Sequence, residues 1–321
     1  MNKYLNPKNY RRRVLFFVNR YLLGHLEAFF FSGLNQCLRH PPIFILGAPR
    51  SGSTLAIQVI TDALDVGYIN NRHCQWFGAP ALAERLFPPL KNRPKSDYKS
   101  QHGVAEGRHA PAECGEWWYR FFRRTPRHAI LEEMCPRRMR RFRQSVAALT
   151  SEFNKPVLFK NLYASLRIQA IAHYFPESLF VVIKRNEVAN GHSILEARHE
   201  RFRDYTSWFS VEPPKIEELK LLPAHQQVIE QIRHIHKTID EDLRISGVAK
   251  KRRFDLDYED LCARPNDMIG ELKIFLETNG CLISRRGVVS EKFSSRKGVG
   301  IDPAIYDQMV AYAKLSPAGI S

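Results

Sequence analysis

No two of the six cysteines in this 321-residue chain form a Cys-x-x-Cys pair, and none has the spacing of a metal-ligand set. Cys37, Cys74, Cys114, Cys135, Cys262 and Cys281 are scattered, which argues against a disulfide framework or a zinc site and fits a reducing cytoplasm. Acidic residues are scarce: 33 Asp and Glu stand against 49 Lys and Arg, a formal net charge of +16. Such a surface suits anionic partners. No recognised DNA- or RNA-reading motif accompanies the charge, so nucleic acid is not an expected partner. Long apolar runs are missing too. In VLFFVNRYLLGHLEAFFF, residues 14–31, Arg20, His25 and Glu27 break the run well short of the roughly 17 to 20 residues that span a bilayer, and residues 14–18 are too few for a signal-peptide core. With 44% apolar residues, the chain can still bury a full core as one large domain, or one domain with an appendage.

What is present centres on residues 43–54, IFILGAPRSGST. Ile43, Phe44, Ile45 and Leu46 are strand formers, small and turn-compatible residues follow from Gly47, and Ser53-Thr54 open an apolar-periodic segment with Leu55, Val59, Ile60, Ala63 and Leu64 on its inner face. Strand, tight loop and helix start make a phosphate cradle, in which loop amides and the first helical turn converge on an anion. Against GxxxxGK[ST], the stretch matches at Gly47, Gly52 and Thr54, but Ser53 stands where the lysine belongs; the cation is Arg50, three residues early.

With its PRSGST loop the sequence resembles the sulfotransferases, whose donor is 3′-phosphoadenosine-5′-phosphosulfate (PAPS). The resemblance implies that Arg50, Ser51, Gly52, Ser53 and Thr54 hold the 5′-phosphosulfate. A second stretch, FVVIKRNEVANGHS, is similar to the family's 3′-phosphate-binding element, which implies that Arg185 at the strand end and Ser193 eight positions later hold the 3′-phosphate. Asn186-Glu187 departs from the Asp-Pro that many members carry there. Ser295-Arg296-Lys297-Gly298 is similar to a loop that closes over the donor in cytosolic members. The family takes its catalytic base from a segment after the phosphosulfate loop. Residues 67–116 read as irregular and hold three candidates: Glu113, just ahead of a glycine and aromatics, His109 and His73. Trp117, Trp118, Tyr119, Phe121 and Phe122 read either as core or as a stacking wall for a sugar.

PVLFK (156–160) reads as a short buried strand, residues 165–174 as a helix, SLFVVIKR (178–185) as a strand ending in two cations, and residues 187–198 as a helix. That alternation predicts an α/β, three-layer P-loop-type fold with a central parallel sheet flanked by helices, its ligand at the carboxyl ends of the strands. A long helix follows with Val228, Ile232, Ile235, Ile239 and Leu243 on one face, then a strand over 253–256 and a helix behind Pro265. Two units are expected: a basic amphipathic extension over residues 1–38 and a sulfotransferase domain over 39–321.

The expected reaction moves a sulfuryl group from PAPS to a hydroxyl, less readily an amine, of a glycan, glycolipid or lipid-linked acceptor, with no metal. Residues 120–143, rich in arginine, read as a solvated face, a channel for an anionic acceptor or a patch for lipid headgroups. The N-terminal helix either packs on the domain or lies on the inner face of a membrane with Arg11, Arg12 and Arg13 among headgroups. Two other readings stay open. One is an ATP- or GTP-dependent P-loop phosphotransferase, against which stand Ser53 and the absence of a magnesium-holding Asp at the end of the strand closed by Lys184-Arg185. The other is a non-catalytic membrane- or polyanion-binding protein on the same fold.

Overall fold

Five short segments with β-forming cores build the sheet of the computed structural model, which describes residues 7–34, 38–88, 95–99, 103–124, 127–294 and 300–315. They are β1 (Ile43–Gly47), β2 (Gly67–Tyr68), β3 (Val157–Lys160), β4 (Leu179–Lys184) and β5 (Arg253–Asp257). All pair in parallel in the order β2-β3-β1-β4-β5. β1 therefore lies at the centre, with Ile43 opposite Leu158 on one side and Leu179 on the other. Every residue of β1 and β3 is buried, as expected of parallel strands covered on both faces.

Alternate side chains sort into two apolar layers. On one face Phe44, Leu46, Phe159, Phe180 and Val182 pack with Trp117, Trp118 and Phe142; on the other Ile43, Ile45, Leu158, Val181 and Ile183 pack with Ile57, Ile60, Ile269 and Leu272. The helices supplying these layers occupy three stretches of the chain. The N-terminal ones are α1 (Pro7–Val18), α2 (Gly24–Phe30), α3 (Ser53–Ala63), α4 (Asn71–Gln75), α5 (Pro80–Leu86) and α6 (Gly115–Trp118). The middle ones are α7 (Pro136–Phe153), α8 (Ile168–Tyr174), α9 (Glu187–Phe202), α10 (Ile216–Leu219) and α11 (Ala224–Ile245); α12 (Tyr258–Ala263), α13 (Pro265–Thr278) and α14 (Pro303–Ala313) complete the set. The expected α/β architecture with a parallel central sheet and helices on both faces is what forms.

Two local readings change, and a choice left open between core and stacking wall falls to core. Residues 67–116 are not wholly irregular: they contain β2, α4 and α5. β2 is only two residues long, too short to show a period. The segment before α8 is a 3-10 turn over Leu162–Leu166, capped by the Asn161 side chain, which accepts from the Tyr163 amide. The aromatics at 117, 118, 121 and 122 are core. Trp117 is fully buried and stacks on Phe159 with ring centroids 5.5 Å apart, which leaves no face for a sugar.

The N-terminal segment is one helical rod in which α1 and α2 are joined by a π-helical turn over Asn19–Leu23. Asn19, fully buried, holds the turn to the body: its side chain donates to the Leu15 and Gln75 carbonyls and accepts from the Gly78 amide at 2.8 Å. Glu27 makes the second attachment, accepting from the Ala81 amide at 2.8 Å and the Ser145 hydroxyl at 2.9 Å. Burial pushes the Glu27 carboxyl up to about 7, against the opposing pull of Arg120. The folded state therefore holds this proton more tightly than the unfolded chain. Its contribution to stability is complete below the carboxyl's ordinary 4.5 and is lost as pH rises through about 7. Each pKa unit is worth about 1.4 kcal/mol, so a Glu27→Gln chain should gain roughly 3 kcal/mol relative to the native chain between acid and neutral pH. Thermal melts of both at several pH values test this; a difference that does not change with pH refutes it.

Candidate active site

Three adjacent strands end together. Gly47 closes β1, Lys160 closes β3, and Arg185 directly follows β4, so the loops behind all three share the carboxyl edge of the sheet, where open α/β sheets bind ligands. The loop after β1 is anchored from several sides. Ser165 accepts from the Gly47 amide at 2.9 Å and donates to its carbonyl, while Asn190 donates to the Pro49 carbonyl at 2.6 Å. Arg50 adopts a left-handed backbone with φ of 62°, an uncommon state for a residue with a side chain. Its surroundings hold it there: Arg185 Nη1 donates to the Arg50 carbonyl at 2.8 Å, and Arg50 Nε donates to the Ser193 hydroxyl at 3.1 Å.

Gly52, with φ of 90°, precedes α3 as its N-cap residue and makes no side-chain cap to the first turn of that helix. A Cβ at 52 would stand 2.1 Å from the Tyr258 ring, so glycine is required by space as well as by conformation. Arg185 lies over the other part of this arrangement, its guanidinium 4.6 Å from the Tyr258 ring centroid. Burial pushes the Tyr258 hydroxyl up to about 12, so the ring stays neutral against the arginine. Three buried polar atoms around the loop have no hydrogen-bond partner among the described residues: Ser51 Oγ, Asn190 Oδ1 and Arg185 Nε.

The cation missing from position 53 arrives from the next strand. Lys160, almost fully buried, places Nζ 3.0 Å from the Thr54 hydroxyl and 2.6 Å from Glu113 Oε1. Thr54 in turn donates to the Gly103 carbonyl. Lys160 thus joins the first turn of α3 to the segment carrying Glu113. Sequence reasoning gave Lys160 no role. The available signal was its position: a lysine ending a buried parallel strand lies at the ligand edge.

Of the residues expected at the site, Arg50, Ser51, Gly52, Ser53, Thr54, Arg185 and Ser193 gather around one loop, and Glu113 reaches it through Lys160. His109 lies to one side: Tyr68 donates to its backbone carbonyl at 2.8 Å, and its ring is near enough to His73 to disfavour charge there. His73 is withdrawn as a base. It is fully buried, its Nδ1 accepts from the Asn70 amide in a capping box, and its Nε2 is 3.0 Å from Glu84 Oε2, so neither ring nitrogen is left for a substrate. Burial also lowers its basicity. Asn186, found where many relatives of the resembled family have Asp, caps α9 by accepting from the Ala189 amide. Arg296, Lys297 and Gly298 lie outside the described residues.

The model of the sulfotransferase family matches residues 41–279. Two curated relatives, the omega-hydroxy-beta-dihydromenaquinone-9 sulfotransferases Stf3 of Mycobacterium bovis and Mycobacterium tuberculosis, are each 22% identical over 256 residues, or 72% of this chain. The match spans 61% of their length. Among solved structures, sulfotransferase STF9 from Mycobacterium avium superposes with a TM-score of 0.50 at 13% identity, over 92% of this chain and 74% of that one. Sulfotransferase STF1 from Mycobacterium tuberculosis H37Rv has the same TM-score and identity, over 84% and 76% respectively. At this identity the structural likeness bears on the fold alone.

Proposed function

The chain belongs to the sulfotransferase family, and from that premise we propose that it moves a sulfuryl group from PAPS to an acceptor hydroxyl, less readily an amine, by in-line displacement. The observation that carries the reading is the convergence of Arg50, Lys160 and Arg185 at the carboxyl edge of three adjacent strands, around a helix start whose N-cap residue, Gly52, makes no side-chain cap. PAPS fits this arrangement because it is anionic at two places. The unpartnered Arg185 Nε and the Ser193 hydroxyl supply donors for the 3′-phosphate. The amides of residues 52–54, the Ser51 hydroxyl and Arg50 supply them for the 5′-phosphosulfate, with the dipole of α3 adding to the attraction, while the Ser51 amide is engaged by the Ala48 carbonyl.

PAPS itself supplies the transferable sulfuryl group; the chain supplies position and charge. Lys160 and Arg50 offset negative charge that builds on the leaving phosphate oxygen. Glu113 is the favoured base because its carboxylate is already held beside Lys160, and it is partly open to solvent, where an acceptor can approach. His109 remains the second candidate. The site needs no metal for this chemistry, since fixed cations and amides meet the charge.

For the acceptor, the name of the Stf3 relatives specifies a hydroxylated menaquinone, which supports a lipid-linked hydroxyl over a soluble glycan. Calorimetric titration with 3′-phosphoadenosine-5′-phosphate, with ATP and magnesium run in parallel, tests the donor. Tight binding of the bisphosphate and weak binding of ATP are expected. Binding of ATP with magnesium alone would turn the reading to a phosphotransferase; binding of neither would turn it to a non-catalytic protein.

A further inference from the structure

The N-terminal helical rod is built inside out. Two of its polar side chains, Asn19 and Glu27, are 0% and 2% exposed against the body, whereas Phe17, Tyr21, Leu22, Phe29 and Phe30 are between 54% and 76% exposed. A helix packed on a domain and facing water shows the reverse order. The polar inner contacts are made and specific, so the orientation is not a loosely held one: Asn19 bonds Gly78 and Gln75, and Glu27 bonds Ala81 and Ser145. A face of this many large apolar side chains is also larger than scattered surface exposure produces.

Cations border that face. Arg12 and Arg13 are exposed on α1, and Arg137, Arg138 and Arg141 are exposed on one side of α7. α7 lies directly beside α2: Gln144 donates to the Ala28 carbonyl at 2.8 Å, and Arg141 shares with His25 and Ala28 the lining of a cavity of about 170 Å³. The rod's one acidic residue, Glu27, points inward. Apolar rings flanked by arginines, with no outward carboxylate on the rod itself, match a leaflet whose acyl region lies below anionic headgroups. A second copy of the chain docked on the same face would bring arginine against arginine.

We propose that residues 12–30, with the exposed arginines of α7, form a surface that seats this protein on an anionic phospholipid leaflet. No helix among the described residues is long and apolar enough to cross a membrane. The Phe17, Phe29 and Phe30 rings enter the acyl boundary, and Arg137, Arg138 and Arg141 lie among headgroup phosphates. The contact does not depend on the nucleotide site.

Co-flotation of the full chain with vesicles of phosphatidylglycerol and phosphatidylethanolamine tests this, with pure phosphatidylcholine vesicles as the comparison and light scattering to give the mass in solution. Anionic vesicles should bind at least about tenfold more tightly than neutral ones, as expected if each arginine near the surface adds to the attraction. The triple change Phe17→Ser, Phe29→Ser and Phe30→Ser should weaken vesicle binding by about a hundredfold or more while bisphosphate affinity stays the same. The outcome that overturns the proposal is failure of the native chain to float with anionic vesicles, or equal binding by the triple variant. A dimer that the triple change dissociates would also overturn it, because the face would then belong to a second copy. Unchanged bisphosphate affinity in the variant separates this result from the fate of the donor site.

Discussion

Replacing Lys160 with methionine lowers the rate of sulfuryl transfer by about a hundredfold or more and leaves the fold intact. Removing one preorganised donor from a site where charge develops typically costs about 10²- to 10³-fold in kcat. Lys160 is proposed as such a donor: its ammonium is held between Thr54 and Glu113, next to the first turn of α3, in the region where the glycine loop has a serine instead of a lysine. Methionine keeps the length and apolar stem of the side chain, and the partner left behind, Glu113, is about one-third exposed and can be hydrated. The fold should therefore tolerate the change. The measurement is release of the bisphosphate product with a panel of hydroxyl acceptors, alongside a thermal melt. A rate within threefold of the native chain at an unchanged melting temperature would remove Lys160 from the transfer step.

Arg185→Ala should weaken binding of 3′-phosphoadenosine-5′-phosphate by about a hundredfold, which follows from the loss of one or two charged hydrogen bonds at about 1.5 to 3 kcal/mol each. Two effects combine in this residue. Its unpartnered Nε is available to a phosphate, and its Nη1 supports the Arg50 carbonyl, which keeps the left-handed turn of the loop in place. Arg185→Lys should restore little of the affinity, because a single ammonium cannot lie over the Tyr258 ring, hold the Arg50 carbonyl and grip the ligand together. Calorimetry of the two variants decides the matter. If either binds within threefold of the native chain, the 3′-phosphate is held elsewhere.

The loop and the strand end proposed to hold the nucleotide were legible as local structure. A strand, a glycine loop and a helix start lie within residues 43–54, and Arg185 and Ser193 are separated by one strand end and two helical turns. Such short-range order is written in neighbouring residues. Lys160 was not legible in the same way. It is 106 residues from Thr54, and a lone lysine after an apolar run carries no spacing that points to its partner. Glu113 could be singled out among three candidate bases but not preferred, since the proposed preference depends on that same lysine. His73 looked eligible because residue type does not reveal that both ring nitrogens are engaged inside the molecule. The apolar positions of the N-terminal helix were visible as a period. Which way they face was not, because the π-helical turn at Asn19 interrupts the ordinary advance of 3.6 residues per turn.

The central position of β1 has a consequence for how the chain is made. β1 is synthesised first, yet both strands that flank it, β3 and β4, come more than a hundred residues later. Until they emerge from the ribosome, Ile43 to Leu46 form an apolar ribbon with two open edges, a template for pairing with other chains. At about 5 to 20 residues per second this exposure lasts several seconds or longer. Yield in a cell should accordingly depend on holding factors that cover such ribbons, and slower elongation before residue 184 should lower the soluble fraction. The bisphosphate nucleotide offers no protection during that interval, because the three strand ends that would receive it have not yet met.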